Sequence, residues 1–122
     1  MKKILFVEDE ANLQKTFVDV LGTEGYQVVS ALDGEIGLRL AETQKPDLIL
    51  LDLILPRVHG LEVLKKLKEN PLTQKIPVII LTNVEEVQEI EKALELGATT
   101  YLVKTNYALS DVIDKIKKVL PE

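Results

Sequence analysis

An α/β fold with a doubly wound parallel sheet, its strands in the order 2-1-3-4-5, is what this sequence predicts. Three observations carry that reading. Five short apolar runs recur along the 122 residues, each followed by room for one helix. Four of the five are rich in Val, Ile or Leu without polar alternation, as strands buried on both faces are. The segments between them repeat apolar residues at helical spacing. Strand–helix–strand crossovers are right-handed, so the helices must cover both faces of the sheet.

The first run is Ile4–Val7, and Leu13, Phe17, Val20 and Leu21 after it recur at i, i+4, i+7 and i+8. Gly25 stands where a left-handed helix end is expected. The second run, Val28–Ala31, is more mixed from Tyr26 onward, which places it nearer an edge. Glu35–Gln44 is helical through Ile36, Leu40 and Ala41, and Pro46 precedes the third run, Leu48–Leu51. Leu61–Glu69 is helical through Leu61 and Leu64. Pro77 precedes the fourth run, Val78–Leu81; like Pro46, it lies where a missing N–H costs little. Asn83 with Glu86 resembles a capping box, and Val87, Ile90 and Leu94 form a stripe on a fourth helix that ends near Gly97. Tyr101–Val103 is the fifth run, and Leu109, Ile113, Ile116 and Leu120 mark the last helix. The sum is (βα)5 in a single domain spanning residues 1–122, with no linker or repeat left over. Its expected strand order is the flavodoxin-like one.

Composition narrows the function. Hydrophobic residues make up 46 % of the chain and charged ones 29 %, enough for a core and unlike a disordered segment. The absence of Cys excludes a disulfide scaffold, a zinc–cysteine site and a thiol nucleophile, and a single His excludes a multi-histidine metal site. No apolar run approaches the roughly 18 residues of a membrane span, and no signal peptide precedes the first strand, so the expected location is cytoplasmic. A net charge of −5 disfavours binding nucleic acid through bulk charge.

Polar residues collect directly after the apolar runs. The first strand leads into Glu8, Asp9 and Glu10, the third into Asp52, the fourth into Thr82 and the fifth into Lys104. Parallel strands put all these ends on one edge, where open α/β sheets bind ligands at the point of order reversal. That point lies between the first and third strands, so Glu8, Asp9 and Asp52 should face one another. Carboxylates so placed repel, and a hard divalent cation relieves the repulsion. Mg²⁺ favours a few carboxylates with water and a backbone carbonyl. Lys104 adds a compact positive charge and Thr82 a hydroxyl donor. A carboxylate nucleophile, a metal, a cation and a hydroxyl are what phosphoryl transfer needs. Taken singly, each has a plainer explanation: Asp52 as a loop carboxylate, the acidic triplet as a helix start, Thr82 as a cap, Lys104 as a surface lysine. Their placement at successive strand ends favours the joint reading. His59, alone in a loop, reads as a solvated side chain.

At these residues the chain resembles the receiver domains of two-component response regulators, with the length of the single-domain, chemotaxis-type members. The resemblance runs from Lys2 to about Leu120 and rests on four motifs in order: Ile4-Leu5-Phe6-Val7-Glu8-Asp9-Glu10, Asp52-Leu53-Ile54-Leu55-Pro56 with Gly60, Leu81-Thr82, and Tyr101-Leu102-Val103-Lys104. It implies that Asp52 is the phosphoacceptor and that Glu8 and Asp9 organise Mg²⁺ together with Asp52 and the backbone carbonyl of Ile54. It implies further that Lys104 pairs with a phosphoryl oxygen, and that Thr82 and Tyr101 are the switch pair. The implied donor is a phosphohistidine on a sensor histidine kinase or a phosphotransfer protein. The implied output is a changed face of helix four, strand five and helix five that meets a downstream protein.

The chain departs from the family pattern at Glu8, where Asp is commoner, at Asn83, where a small residue is usual, at Arg57-Val58-His59, and at Thr105, where Pro is usual. The fourth helix is acidic (Glu85, Glu86, Glu89, Glu91, Glu95) and the fifth ends basic (Lys115, Lys117, Lys118). Two solvated faces are the plain explanation; dimerisation of an otherwise monomeric chain on phosphorylation is the sharper one. Three rivals share the fold. A pseudo-receiver would bind partners without phosphorylation, against which the intact Asp52, Asp9, Thr82 and Lys104 speak. An FMN carrier needs a phosphate-cradling loop where Glu8-Asp9-Glu10 stands. An aspartyl phosphatase would carry a second Asp where Ile54 stands.

Overall fold

The chain runs β1 (Lys3–Val7), α1 (Ala11–Thr23), β2 (Gln27–Ala31), α2 (Gly34–Gln44), β3 (Leu48–Leu51), α3 (Gly60–Glu69), β4 (Val78–Thr82), α4 (Val87–Glu95), β5 (Thr100–Val103) and α5 (Leu109–Val119). These elements come from a computed structural model, which describes residues 1–83, 87–103 and 108–120. The strands form one sheet in the order β2-β1-β3-β4-β5, and every pairing is parallel. The order and the edge position of β2 are those expected from the sequence.

Alternation along each strand divides the apolar side chains between two cores. Ile4, Phe6, Leu48, Leu50, Ile79 and Leu81 face α1 and α5, where Phe17, Leu21, Val112 and Ile116 meet them. Leu5, Val7, Ile49, Leu51, Val78 and Ile80 face the other side, against Ala41, Val63, Leu64, Leu67 and Ala93 of α2, α3 and α4. This explains the unbroken apolar runs: the central strands have no wet face. Burying one such side chain fully contributes about 1.5–3 kcal/mol, so a polar residue within β1, β3 or β4 would be costly on either side.

Helix ends follow local chemistry. Gly25 (φ 91°) and Gly97 (φ 113°) take the left-handed conformation expected of them. Asp33 caps α2 by accepting from the Ile36 N–H at 2.9 Å. At the start of α5, Asp111 reaches back to accept from the Ala108 N–H at 2.9 Å. The capping pair expected of Asn83 and Glu86 includes Glu86, which lies outside the described residues.

Two helices sit differently from their sequence stripes. On α4 the buried residues are Ile90 and Ala93, while Val87 is 66 % exposed and Leu94 is also outward. The inward face of the helix is set by Ile90 and Ala93, and the larger Val87 and Leu94 fall on its outer side. On α3 the buried set is Val63, Leu64 and Leu67, with Leu61 only partly covered. At the basic end of α5, Lys117 bonds Glu24 at 3.0 Å, and that hydrogen bond holds its ammonium above the usual lysine range. One of the three cations of the expected complementary face is thus directed to the end of α1 instead.

Gly60 fixes how α3 meets the loop after β3. Its N–H donates to Leu53 O at 2.8 Å. A Cβ there would lie 2.5 Å from Asp52 O and 2.8 Å from Leu53 O, both backbone atoms that cannot yield cheaply. We expect Gly60→Ala to lower stability by about 2 kcal/mol or more, by the strain of overpacking. Urea denaturation measures it; a change within error would mean that α3 can back away from the loop freely.

Candidate functional site

The site begins as backbone. Val7 pairs with both Ala31 and Leu51, and Leu51 pairs with Ile80. The ladder continues one step past the strands: the Asp52 N–H donates to Val7 O at 3.1 Å, and the Glu8 N–H donates to Ala31 O at 3.0 Å. Glu8 and Asp52 are therefore level, on neighbouring strands, at the same edge. Asp9 follows on the turn into α1.

One carboxylate oxygen from each of Glu8, Asp9 and Asp52 lies within 4.8 Å of the others. Glu8 and Asp52 are nearly inaccessible, at 1 % and 3 %, whereas Asp9 is exposed. Backbone donors orient the two buried groups. Glu8 Oε2 accepts from the N–H of Glu10, the N-cap residue of α1, at 3.1 Å, and Asp52 Oδ1 accepts from the Ile54 N–H at 3.0 Å. The positive end of the α1 dipole also favours negative charge there.

Gln14 on α1, only 5 % exposed, lies behind this edge. Its Nε2 lies within hydrogen-bond distance of three carbonyls, Phe6 O at 2.9 Å, Ala31 O at 3.0 Å and Glu8 O at 3.1 Å, tying the helix to the ends of β1 and β2. Nothing in its sequence position marks it out. His59, by sequence a solvated loop side chain, has a further role. It is exposed, but its Nδ1 also accepts from the Leu61 N–H at 3.2 Å and so caps α3. Between Asp52 and α3, Arg57 takes φ 69° and the Val58 N–H donates to Pro56 O at 2.8 Å, a tight γ-turn of the strained, positive-φ kind. The Arg57 guanidinium faces Asp33 at 3.9 Å and Glu35 at 3.6 Å.

The remaining sequence candidates distribute as follows. Thr82 ends β4, fully buried, one position beyond the level of Asp52, and pairs in register with Val103. Tyr101 on the edge strand β5 is 39 % exposed and pairs with Ile80. Ile54 is exposed and bound through its N–H to Asp52. Lys104 follows β5 directly and lies outside the described residues.

The model of the response regulator receiver domain family matches residues 4–117. The chain belongs to that family. This receiver domain is 36 % identical over 120 residues to sporulation initiation phosphotransferase F of Bacillus subtilis (strain 168), covering 98 % of this chain and 94 % of that protein. It is 40 % identical over 119 residues to the alkaline phosphatase synthesis transcriptional regulatory protein PhoP of the same organism, covering 98 % of this chain but 48 % of that protein. The chain thus spans about half the length of several curated relatives it matches. Among solved structures it is similar to Vibrio cholerae chemotaxis protein CheY4, with a TM-score of 0.91, 27 % identity, and 98 % and 99 % of the two chains covered. The activated N-terminal receiver domain of Klebsiella pneumoniae RstA gives a TM-score of 0.90 at 26 % identity over 99 % of this chain and 100 % of that one. As in two-component receiver domains at large, an acidic pocket sits at the carboxyl edge of a flavodoxin-like sheet. No helix among the described residues is long and apolar enough to cross a membrane.

The donor set of this receiver domain suits a hard divalent cation. Three carboxylate oxygens within reach of one point match the oxygen preference of Mg²⁺, and neither soft sulfur nor imidazole takes part. In EDTA, replacing one carboxylate by its amide should relieve like-charge repulsion of about 1–3 kcal/mol at this separation. We therefore expect Asp52→Asn to unfold at higher urea than the native chain in EDTA, since an amide oxygen can still accept from Ile54. Equal or lower stability would show that the three charges do not strain the fold.

Proposed function

We propose that this receiver domain accepts a phosphoryl group on Asp52 from a phosphohistidine of a sensor histidine kinase or a phosphotransfer protein, in an Mg²⁺-dependent reaction. The observation that carries the proposal is the convergence of Glu8, Asp9 and Asp52 at one sheet edge, in a chain that matches the receiver family over most of its length. Glu8, Asp9, Asp52 and the Ile54 carbonyl are the groups that would hold the cation. When bound, it supplies charge neutralisation and alignment for the phosphoryl oxygens.

The protein's own part is positioning. A carboxylate oxygen of Asp52 attacks phosphorus, the phosphorus–nitrogen bond to the donor imidazole breaks, and its electron pair returns to the ring. Hydrogen bonding through Ile54 N–H holds the Asp52 carboxylate in place for this attack. Lys104 pairs with a phosphoryl oxygen. Water later hydrolyses the acyl phosphate, so the domain assists its own phosphorylation and dephosphorylation without being a turnover enzyme. The new dianion draws the Thr82 hydroxyl, and Tyr101 turns inward as space opens behind it. The altered α4–β5–α5 face then meets a downstream protein.

Incubation with acetyl phosphate and Mg²⁺, followed by intact mass, tests this. We expect one added phosphoryl group, absent in Asp52→Asn and absent when EDTA replaces Mg²⁺. No addition at any Mg²⁺ concentration would favour a binding module that works without phosphorylation.

A further inference from the structure

Gln14 combines two observations that the acidic pocket alone does not explain. Its Nε2 contacts three backbone carbonyls, Phe6 O, Glu8 O and Ala31 O, although an amide nitrogen has two hydrogens to give. Its Oε1 is buried and has no hydrogen-bond partner among the described residues. An unsatisfied buried acceptor is destabilising. An apolar side chain of the same size would avoid that cost but would leave the three carbonyls without this donor.

The acceptors identify what the amide holds. Phe6 O and Glu8 O flank Val7, whose own carbonyl receives the Asp52 N–H. Ala31 O also receives the Glu8 N–H. Gln14 therefore grips the Phe6–Val7 peptide that leads into the residue docking β3, the Glu8–Asp9 peptide, and the Ala31–Leu32 peptide at the end of β2. It touches no carboxylate oxygen of the pocket in any of these bonds. Its grip sets the direction in which Glu8 and Asp9 leave the strand.

We propose that Gln14 is a positioning residue for the acidic pocket: by clamping the carbonyls at the ends of β1 and β2, it holds Glu8 and Asp9 convergent on Asp52 and thereby sets the affinity for the divalent cation. This deepens the proposed function and rests on the cation-binding part of it. Loosening the clamp lets the Glu8–Asp9 turn relax outward, since the carboxylates repel. Outer groups that orient metal ligands commonly change affinity by about 10–100-fold, and a clamp acting through backbone belongs at the lower end.

The test is a Mg²⁺ titration by calorimetry on the native chain, Gln14→Leu and Gln14→Met, with the fold of each checked by circular dichroism. The expected result is native binding, and binding weakened about 10-fold in both apolar variants. Their acetyl phosphate labelling should return to the native rate at saturating Mg²⁺, separating affinity from chemistry. Unchanged affinity in a folded variant overturns the role of Gln14. A native chain that takes up no Mg²⁺ overturns the cation reading of the pocket itself, a distinguishable failure. Should neither variant fold, the native chain decides. By reciprocity, Mg²⁺ stabilises the clamped state, so exchange of the Gln14 side-chain amide hydrogens with solvent slows when Mg²⁺ is added. Exchange that does not slow overturns the proposal.

Discussion

Backbone pairing between β1 and β3 is the interaction on which everything else depends. The Asp52 N–H on Val7 O sets two buried carboxylates level with each other on adjacent strands, although their charges resist it. The contest is uneven. Repulsion at this separation is worth about 1–3 kcal/mol, while each large apolar side chain buried on β1, β3 and β4 contributes a similar amount, and there are many, on both faces of the sheet. The two cores hold the acidic edge together.

The same balance explains why parts of the site sit on strands and parts on turns. Glu8 and Asp52 extend the ladder and are buried with it, and backbone donors from the residues that follow orient them. Asp9, a residue further on, faces solvent. A cation arriving from solution meets one accessible carboxylate in front of two that are already oriented. Behind Asp52, the γ-turn at Arg57 and the close approach of Gly60 limit how far the loop to α3 can move.

Much of this was legible before any coordinates. Residues such as Leu48–Leu51, apolar without interruption, announce a strand covered on both sides, and a carboxylate directly after such a run can only lie at the sheet edge. Glu8, Asp9 and Asp52 could be brought together on that reasoning. Gln14 could not, because its partners are carbonyls, which every residue possesses, and a polar residue on a helix usually reads as its wet side. His59 was missed as a cap for a related reason: its partner is a backbone N–H two residues away. The face of α4 is hard to read from sequence because hydrophobicity ranks Val87 and Leu94 above Ala93, yet it is Ala93 that is buried.

The way α4 is anchored has a consequence for the domain as a material. Its grip on the sheet rests on one large side chain, Ile90, and on Ala93, while the central strands are sealed from both sides. Free energies of local opening follow such differences in buried apolar contact. The amide hydrogens of α4 should thus be traded for solvent deuterium long before those of β1, β3 or β4, and the helix can shift without melting its neighbours.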